Sequence, residues 1–264
     1  MGHASAWRRA AIGLLLLASG LLGFQGSVSG QDVQALLDRV IVAHGGMDAW
    51  VALKDMTFTL TVVSLTPQGE VAGARVSLYR LKRHGKARVE TVTGDGVLVE
   101  GFDGERSWAL LHGRRLTEAD RLTRAHFQAV NWWYWMGIPF KLRDPGVVLR
   151  ERPLATFQGK PVHVLEATFA VEGPTDRFTY YVDPVTYHIV LVETDLKPGV
   201  WPGVGGRGPG WSTWHDYRAV GPFMMHTKRI FYGNRELTDK RGILLFGDFQ
   251  FNTGLPDSLF NSPH

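Results

Sequence analysis

The chain has 264 residues, 44% of them hydrophobic, and no cysteine. That is enough apolar material for one sizeable core, and it excludes a disulfide framework, a thiolate nucleophile, a thiolate zinc site and lipidation at cysteine. The 29 basic and 25 acidic residues give a formal net charge of +4, too slight an excess to suggest a nucleic-acid partner.

Arg8-Arg9 precede the apolar run Ala10 to Phe24 and the small-residue segment Gly26-Ser27-Val28-Ser29-Gly30, the order of a secretory signal peptide. The run falls short of the roughly 20 apolar residues that a membrane span needs, and Gly13, Gly20 and Gly23 interrupt it. Residues 1–30 are therefore expected to be removed. Cleavage there takes away Arg8 and Arg9 and no acid, leaving a net charge of +2. Residues 31–264 are expected to form one soluble domain, periplasmic or secreted.

Asp32 is placed as the cap of a helix in which Val33, Leu36, Leu37, Val40 and Ile41 recur at helical spacing until Gly45-Gly46 ends it. A short second turn, Met47 to Leu53, presents Trp50. From Met56 the period changes to two: Met56, Phe58, Leu60 and Val62 alternate with threonines, as in a half-buried strand whose core face is apolar. Turn signals then recur about every ten residues and delimit strands at Val71 to Lys82, Ala87 to Thr93, Val97 to Phe102 and Arg106 to Leu111. This predicts an antiparallel meander of five strands.

The stretch from Leu116 to Asp144 breaks the pattern. Thr117 is placed as the N-cap of a helix with acids in its first turn, in which Leu122, Ala125, Ala129, Trp132 and Met136 share a face; Gly137 and Pro139 stop it. Trp133, Tyr134, Trp135 and Met136 follow one another, so apolar surface faces every direction at this end and one stripe against a sheet will not bury it all. The helix end either plugs a cavity or is core. Seven more strands are predicted, near Val147 to Arg152, Val162 to Phe169, Arg177 to Val182, Tyr187 to Thr194, Ser212 to Ala219, Phe223 to Tyr232 and Gly242 to Phe251. Strands and helices do not alternate and no solenoid period is present. The fold class is mainly β: a large antiparallel sheet of about a dozen strands, curled, with an N-terminal helix and one aromatic helix over its concave face.

Four segments resemble the LolA-like superfamily of periplasmic lipoprotein carriers and their uncharacterised relatives: Leu81-Lys82-Arg83, Gly101 through Trp108, Tyr180 through Thr186, and the terminal Phe251 through Phe260. The resemblance implies an incomplete antiparallel barrel lidded by helices, with a cavity for acyl chains. It also implies a lid-holding or head-group role for Arg83, although His84-Gly85 stands where that family has proline. The aromatic helix and the Gly-rich loop Gly199 to Gly210 exceed the carrier pattern and resemble a separate branch.

The expected function is an exported, non-enzymatic carrier of an acyl chain, lipid or other apolar ligand. Phe58, Leu60, Trp108, Trp132, Trp133, Trp135 and Met136 are its expected contacts. No metal and no cofactor are expected, and the chain is expected to be a monomer. A basic cluster of Arg80, Lys82, Arg83, His84, Lys86 and Arg88 is either a solvated hairpin tip or a transient contact for an anionic membrane surface or an acidic partner protein. The alternative is an enzyme using His215 and Asp216 opposite His226 across the Gly221-Pro222 hairpin, where two imidazoles and a carboxylate could shuttle protons or hold a metal. A one-residue slip of register would separate the histidines. A third reading is an interaction module with no cavity. The Gly-rich loop lacks the strand-to-helix context of a phosphate-binding loop.

Overall fold

The computed structural model describes residues 30–83, 85–170, 175–197 and 209–262. The predicted signal segment up to Ser29 and the Gly-rich loop up to Gly208 lie outside these residues. Two helices, α1 (Gly30–Ala43) and α2 (Met47–Ala52), come first. Six strands follow: β1 (Asp55–Leu65), β2 (Val71–Lys82), β3 (Lys86–Thr93), β4 (Gly96–Phe102), β5 (Ser107–Leu111) and β6 (Arg114–Leu116). After α3 (Ala119–Met136) and a 3₁₀ turn at Phe140–Arg143 come β7 (Val147–Phe157), β8 (Lys160–Phe169), β9 (Arg177–Val182), β10 (Ile189–Asp195), β11 (Gly210–Val220), β12 (Phe223–Tyr232) and β13 (Lys240–Phe251).

All thirteen strands form one antiparallel sheet in the order β6-β5-β4-β3-β2-β1-β13-β12-β11-β10-β9-β8-β7. It consists of two meanders, each running through consecutive hairpins, joined at the centre where β1 pairs with β13. β6 and β7 are the two ends of the order, so the curled sheet stays open. The topology explains the helix. The chain leaves the sheet at one edge and re-enters at the opposite one, and α3, an 18-residue segment that spans ~27 Å at the helical rise, carries it across the concave face.

Register fixes which side chains line that face. Phe58 pairs with Tyr79, Tyr79 with Val89, Val89 with Glu100 and Glu100 with Ala109, so this row points to one side, and Phe58, Tyr79 and Val89 belong to the buried core. Asp248 has φ 51° beside the register shift that separates Thr57 from Thr59, and this irregularity lets Phe246 and Phe249 both reach Phe58.

Four details differ from the sequence reading. Arg114–Leu116 adds a sixth strand before the helix because it pairs with Ala109 to Leu111. That pairing leaves Thr117 outside, and Glu118 is the N-cap residue, without a side-chain capping bond. α1 begins at Gly30, so Asp32 sits in its first turn near the positive end of the helix dipole and is not its cap. β10 begins at Ile189 because Tyr187, at φ 55°, closes the Asp183 turn by donating to the Asp183 carbonyl.

Candidate functional site

The C-terminal end of α3 is wrapped by rings on every side. Trp132 is buried against Tyr79 (5.4 Å between centroids), Phe246 (5.7 Å) and Phe58 (6.2 Å), and its indole N–H donates to Gln128 Oε1 at 2.9 Å. Trp133 lies on Trp50 of α2 at 5.4 Å. The Tyr134 hydroxyl meets that of Tyr180 at 3.0 Å, and Trp135 packs edge-on against Phe178 and Trp214. Gly137 caps the helix; a Cβ there would come within 2.8 Å of Trp50 and 2.9 Å of the Trp133 carbonyl. Close approach of α2 to the helix end therefore requires glycine. The gap between Trp50, Met56, Met136, Phe140 and Phe223 is only about 10 Å³, the lower limit for one water. At this point the helix end, α2 and the sheet are in close contact.

Beneath Trp135 lies an unusual floor. Arg229 of β12 is 2% exposed, its guanidinium carbon 4.0 Å from the Trp214 ring centroid, 5.1 Å from that of Trp135 and 5.3 Å from that of Phe246. Its Nε donates to His226 Nε2 at 2.7 Å and an Nη donates to the Trp135 carbonyl at 3.2 Å. Among the described residues it makes no ion pair with a carboxylate. Burial lowers its pKa to about 9, because the charged form is the one that desolvation penalises. His226 is held well below the usual imidazole range, by burial first and then by the Arg229 charge.

A second group of imidazoles adjoins it. His44, at the end of α1, is edge-on to His188 and Tyr217, both at 5.6 Å, and Tyr217 lies 5.9 Å from His226. His44 Nδ1 donates to the Val40 carbonyl at 2.7 Å, which leaves Nε2 as a buried acceptor with no partner among the described residues. Burial pushes the His44 pKa down to about 4.

The N-terminal half of α3 rests on different chemistry. It lies over β3, β4 and β5, where Glu100 is buried 3.2 Å from Arg124 of the helix. Burial raises the Glu100 pKa although Arg124, Arg121 and Arg75 oppose the shift. Tyr79 donates to Gln128 at 3.4 Å, and the Ser77 and Thr91 hydroxyls bond to each other nearby.

The sequence-predicted contacts Phe58, Leu60, Trp132 and Met136 are buried in the core cluster, with Trp133 and Trp135 partly buried and packed against it. Trp108 belongs elsewhere, and its assignment is corrected. It is adjacent to Ala109 and opposite Gly101, so it points to the outer face, where Arg88 covers it and the C-terminal tail accepts its indole N–H at Phe260 O (2.7 Å). Arg83 donates through Nε to the Leu53 carbonyl at 2.8 Å and through an Nη to the Trp50 carbonyl, which ties the end of α2 to the sheet. The neighbouring cations have internal partners as well: Lys82 and Lys86 pair with Asp257 of the tail, and Arg88 with Glu90.

The proposed His215, Asp216 and His226 constellation is not assembled. His215 pairs with Lys228 and bonds to Thr213 Oγ1, whereas His226 pairs with Tyr217 and is buried with Arg229. Asp216, at φ 55°, interrupts the pleat between those pairs and is exposed, lining a surface cavity of about 370 Å³ with Arg218, Lys228 and Asp248. No metal-binding cluster exists among the described residues. Sequence reasoning missed Arg229, whose only signal was its place in a strand otherwise rich in apolar residues.

The fold has known relatives in solved structures. The chain is similar to a LolA superfamily protein from Nitrosomonas europaea, with a TM-score of 0.57 and 13% identity over 87% of this chain and 97% of that one. A Vibrio parahaemolyticus domain named for outer membrane lipoprotein sorting gives a TM-score of 0.52 and 15% identity over 88% and 97%. A DUF1329 family protein from Desulfovibrio piger gives 0.51 and 14% over 87% and 97%. No protein-family model matches the sequence, and no curated protein is significantly similar to it.

Proposed function

On this fold of the LolA superfamily, we propose that the chain is an exported carrier that takes an acyl chain or other apolar ligand into the concave face, in exchange for the aromatic end of α3. The observation that supports this reading is that the aromatic cover over this part of the concave face is carried by one crossover helix, α3, with α1 and α2 packed beside it. Trp132, Trp135 and Met136 are all carried on α3, so movement of one element would uncover a continuous apolar wall including Phe58, Tyr79, Phe246 and Trp214. The driving force for an incoming chain is the burial of its own methylenes, about 0.8 kcal/mol each, against re-exposure of the rings it displaces. The other half of the helix has fewer ring contacts and meets the sheet through the Arg124–Glu100 pair, one hydrogen bond and small residues. Export rests on the predicted signal segment.

The test is native mass spectrometry of the protein after gentle extraction from cells. A bound lipid or fatty acid in stoichiometric amount is the expected result. A bare protein that also takes up no fluorescent acyl probe would contradict the reading. The close packing at the end of α3 supports a second reading, an interaction module with no ligand, and that same bare result would favour it.

A further inference from the structure

A buried charge normally has a partner of opposite sign, because removing an ion from water costs several kcal/mol that only pairing and hydrogen bonds restore. Arg229 has none among the described residues. Its named partners are all neutral: an imidazole, a carbonyl and three aromatic faces. The two nearby groups that sense its charge, Tyr217 and Tyr180, are buried phenols whose pKa values burial raises, so they stay neutral too. The Tyr217 hydroxyl is already committed to the Ile189 carbonyl at 2.7 Å. Tyr134 and Tyr180 share one hydrogen bond, which leaves one of their two hydroxyl hydrogens free to donate elsewhere.

We infer that Arg229 is the head-group site of the carried ligand, and that the ligand is a fatty acid whose carboxylate takes the place of the Trp135 carbonyl on the guanidinium. This rests on the carrier reading of the bowl. The Nη–carbonyl bond at 3.2 Å is a long one to a neutral acceptor, whereas a carboxylate in its place would add the attraction of an opposite charge to a buried ion that has no charged partner. The exchange therefore favours the ligand, and it also releases the helix carbonyl that ties α3 to the floor, so that binding of the head and withdrawal of Trp135 are one event. A single guanidinium matches a single negative charge. A phosphate head with a second charge would bring an uncompensated ion into the same low-dielectric site, since His226 and His44 are held neutral by burial.

The experiment compares laurate with lauryl alcohol as ligands of the full-length mature protein and of Arg229→Met, at neutral pH. The parent is expected to prefer laurate by about tenfold or more, the size of one buried hydrogen bond to a charged group. Arg229→Met is expected to lose that preference and to bind lauryl alcohol at least as well as the parent. Replacing a buried ion by an apolar side chain of similar size is usually tolerated; should this variant fail to fold, the preference of the parent decides by itself. Equal affinity of the parent for the two ligands, or a preference that Arg229→Met retains, would overturn the assignment of Arg229 while leaving the carrier reading in place. Binding of neither ligand would overturn the carrier reading and this inference with it.

Discussion

The two halves of α3 meet the same sheet in opposite ways. Around Arg124 and Gln128 the helix touches β2 to β5 through an ion pair, one side-chain hydrogen bond and the stacking of His126 on Phe102; from Trp132 to Trp135 it touches α2, β1, β2, β8, β9, β11 and β13 ring against ring. Polar contacts in a folded protein largely replace contacts with water, so their net contribution is small but their geometry is strict. Ring packing is less directional and contributes several kcal/mol per residue. The first half therefore sets where the helix lies, and the second supplies the energy that keeps it there. On the carrier reading, such a helix would leave the bowl only when something apolar took the place of its aromatic end.

The largest effect that would sharpen this contrast is Trp132→Ala. Its indole is buried among Phe58, Tyr79 and Phe246, and truncation should cost about 3–5 kcal/mol, read as a lower denaturant midpoint. Trp133→Ala and Trp135→Ala, at half-buried positions, should cost about 1–3 kcal/mol and alter uptake of an acyl probe. Equal losses at Trp132, Trp133 and Trp135, with no probe bound by the parent, would make the whole helix end an ordinary core.

Next in size is acid sensitivity at the imidazole floor. His44 falls from the ordinary 6.5 to about 4 on folding, and His226 is depressed in the same direction. Below pH 6.5 the unfolded chain binds protons that the folded chain refuses, so this contribution is fully present above 6.5 and is lost as pH falls toward 4. For His44 alone the loss approaches ~3 kcal/mol. Chemical denaturation at several pH values should show a shallower acid slope for His44→Gln than for the parent. Identical slopes would remove His44 from the account.

Glu100→Gln should have the smallest effect and the opposite pH sign. Burial raises the Glu100 pKa, so the folded state favours the protonated form, and its contribution is lost as pH rises through that raised value. At neutral pH the amide should therefore leave stability unchanged or raise it by up to about 1 kcal/mol. A loss of several kcal/mol would mean that the Arg124–Glu100 pair, and not the aromatic end, holds the helix down.

Much of this was legible in the sequence. The strand series followed from regularly spaced turn residues, and the crossover helix from a helical run with nowhere to hide Trp133, Tyr134, Trp135 and Met136 at once. The terminal segment that carries the resemblance has a structural role: buried Asp55 accepts the amides of Thr253, Gly254 and Leu255, which lays the C-terminal tail along the sheet. What stayed hidden depended on register. Trp108 was assigned to the bowl because strand alternation says that neighbours point apart but not which one points inward. Gly101 held the clue, since a Cβ there would lie 2.2 Å from the Trp108 ring. His215 and His226 were expected to face each other, and pairing places them two positions out of step. Arg229 follows Lys228 and belongs to no motif; only its contacts with α3 and with rings distant in sequence reveal it as buried.

Hydrogen exchange of the mature protein, with and without laurate, tests the exchange of helix for ligand most directly. Saturating ligand should change the protection of amides from Trp132 to Gly137 and leave the paired centre of β7 and β8 unaffected, because the chain enters where the aromatic end withdraws. Unchanged protection in α3 with laurate demonstrably bound would place the ligand outside the bowl and contradict the account.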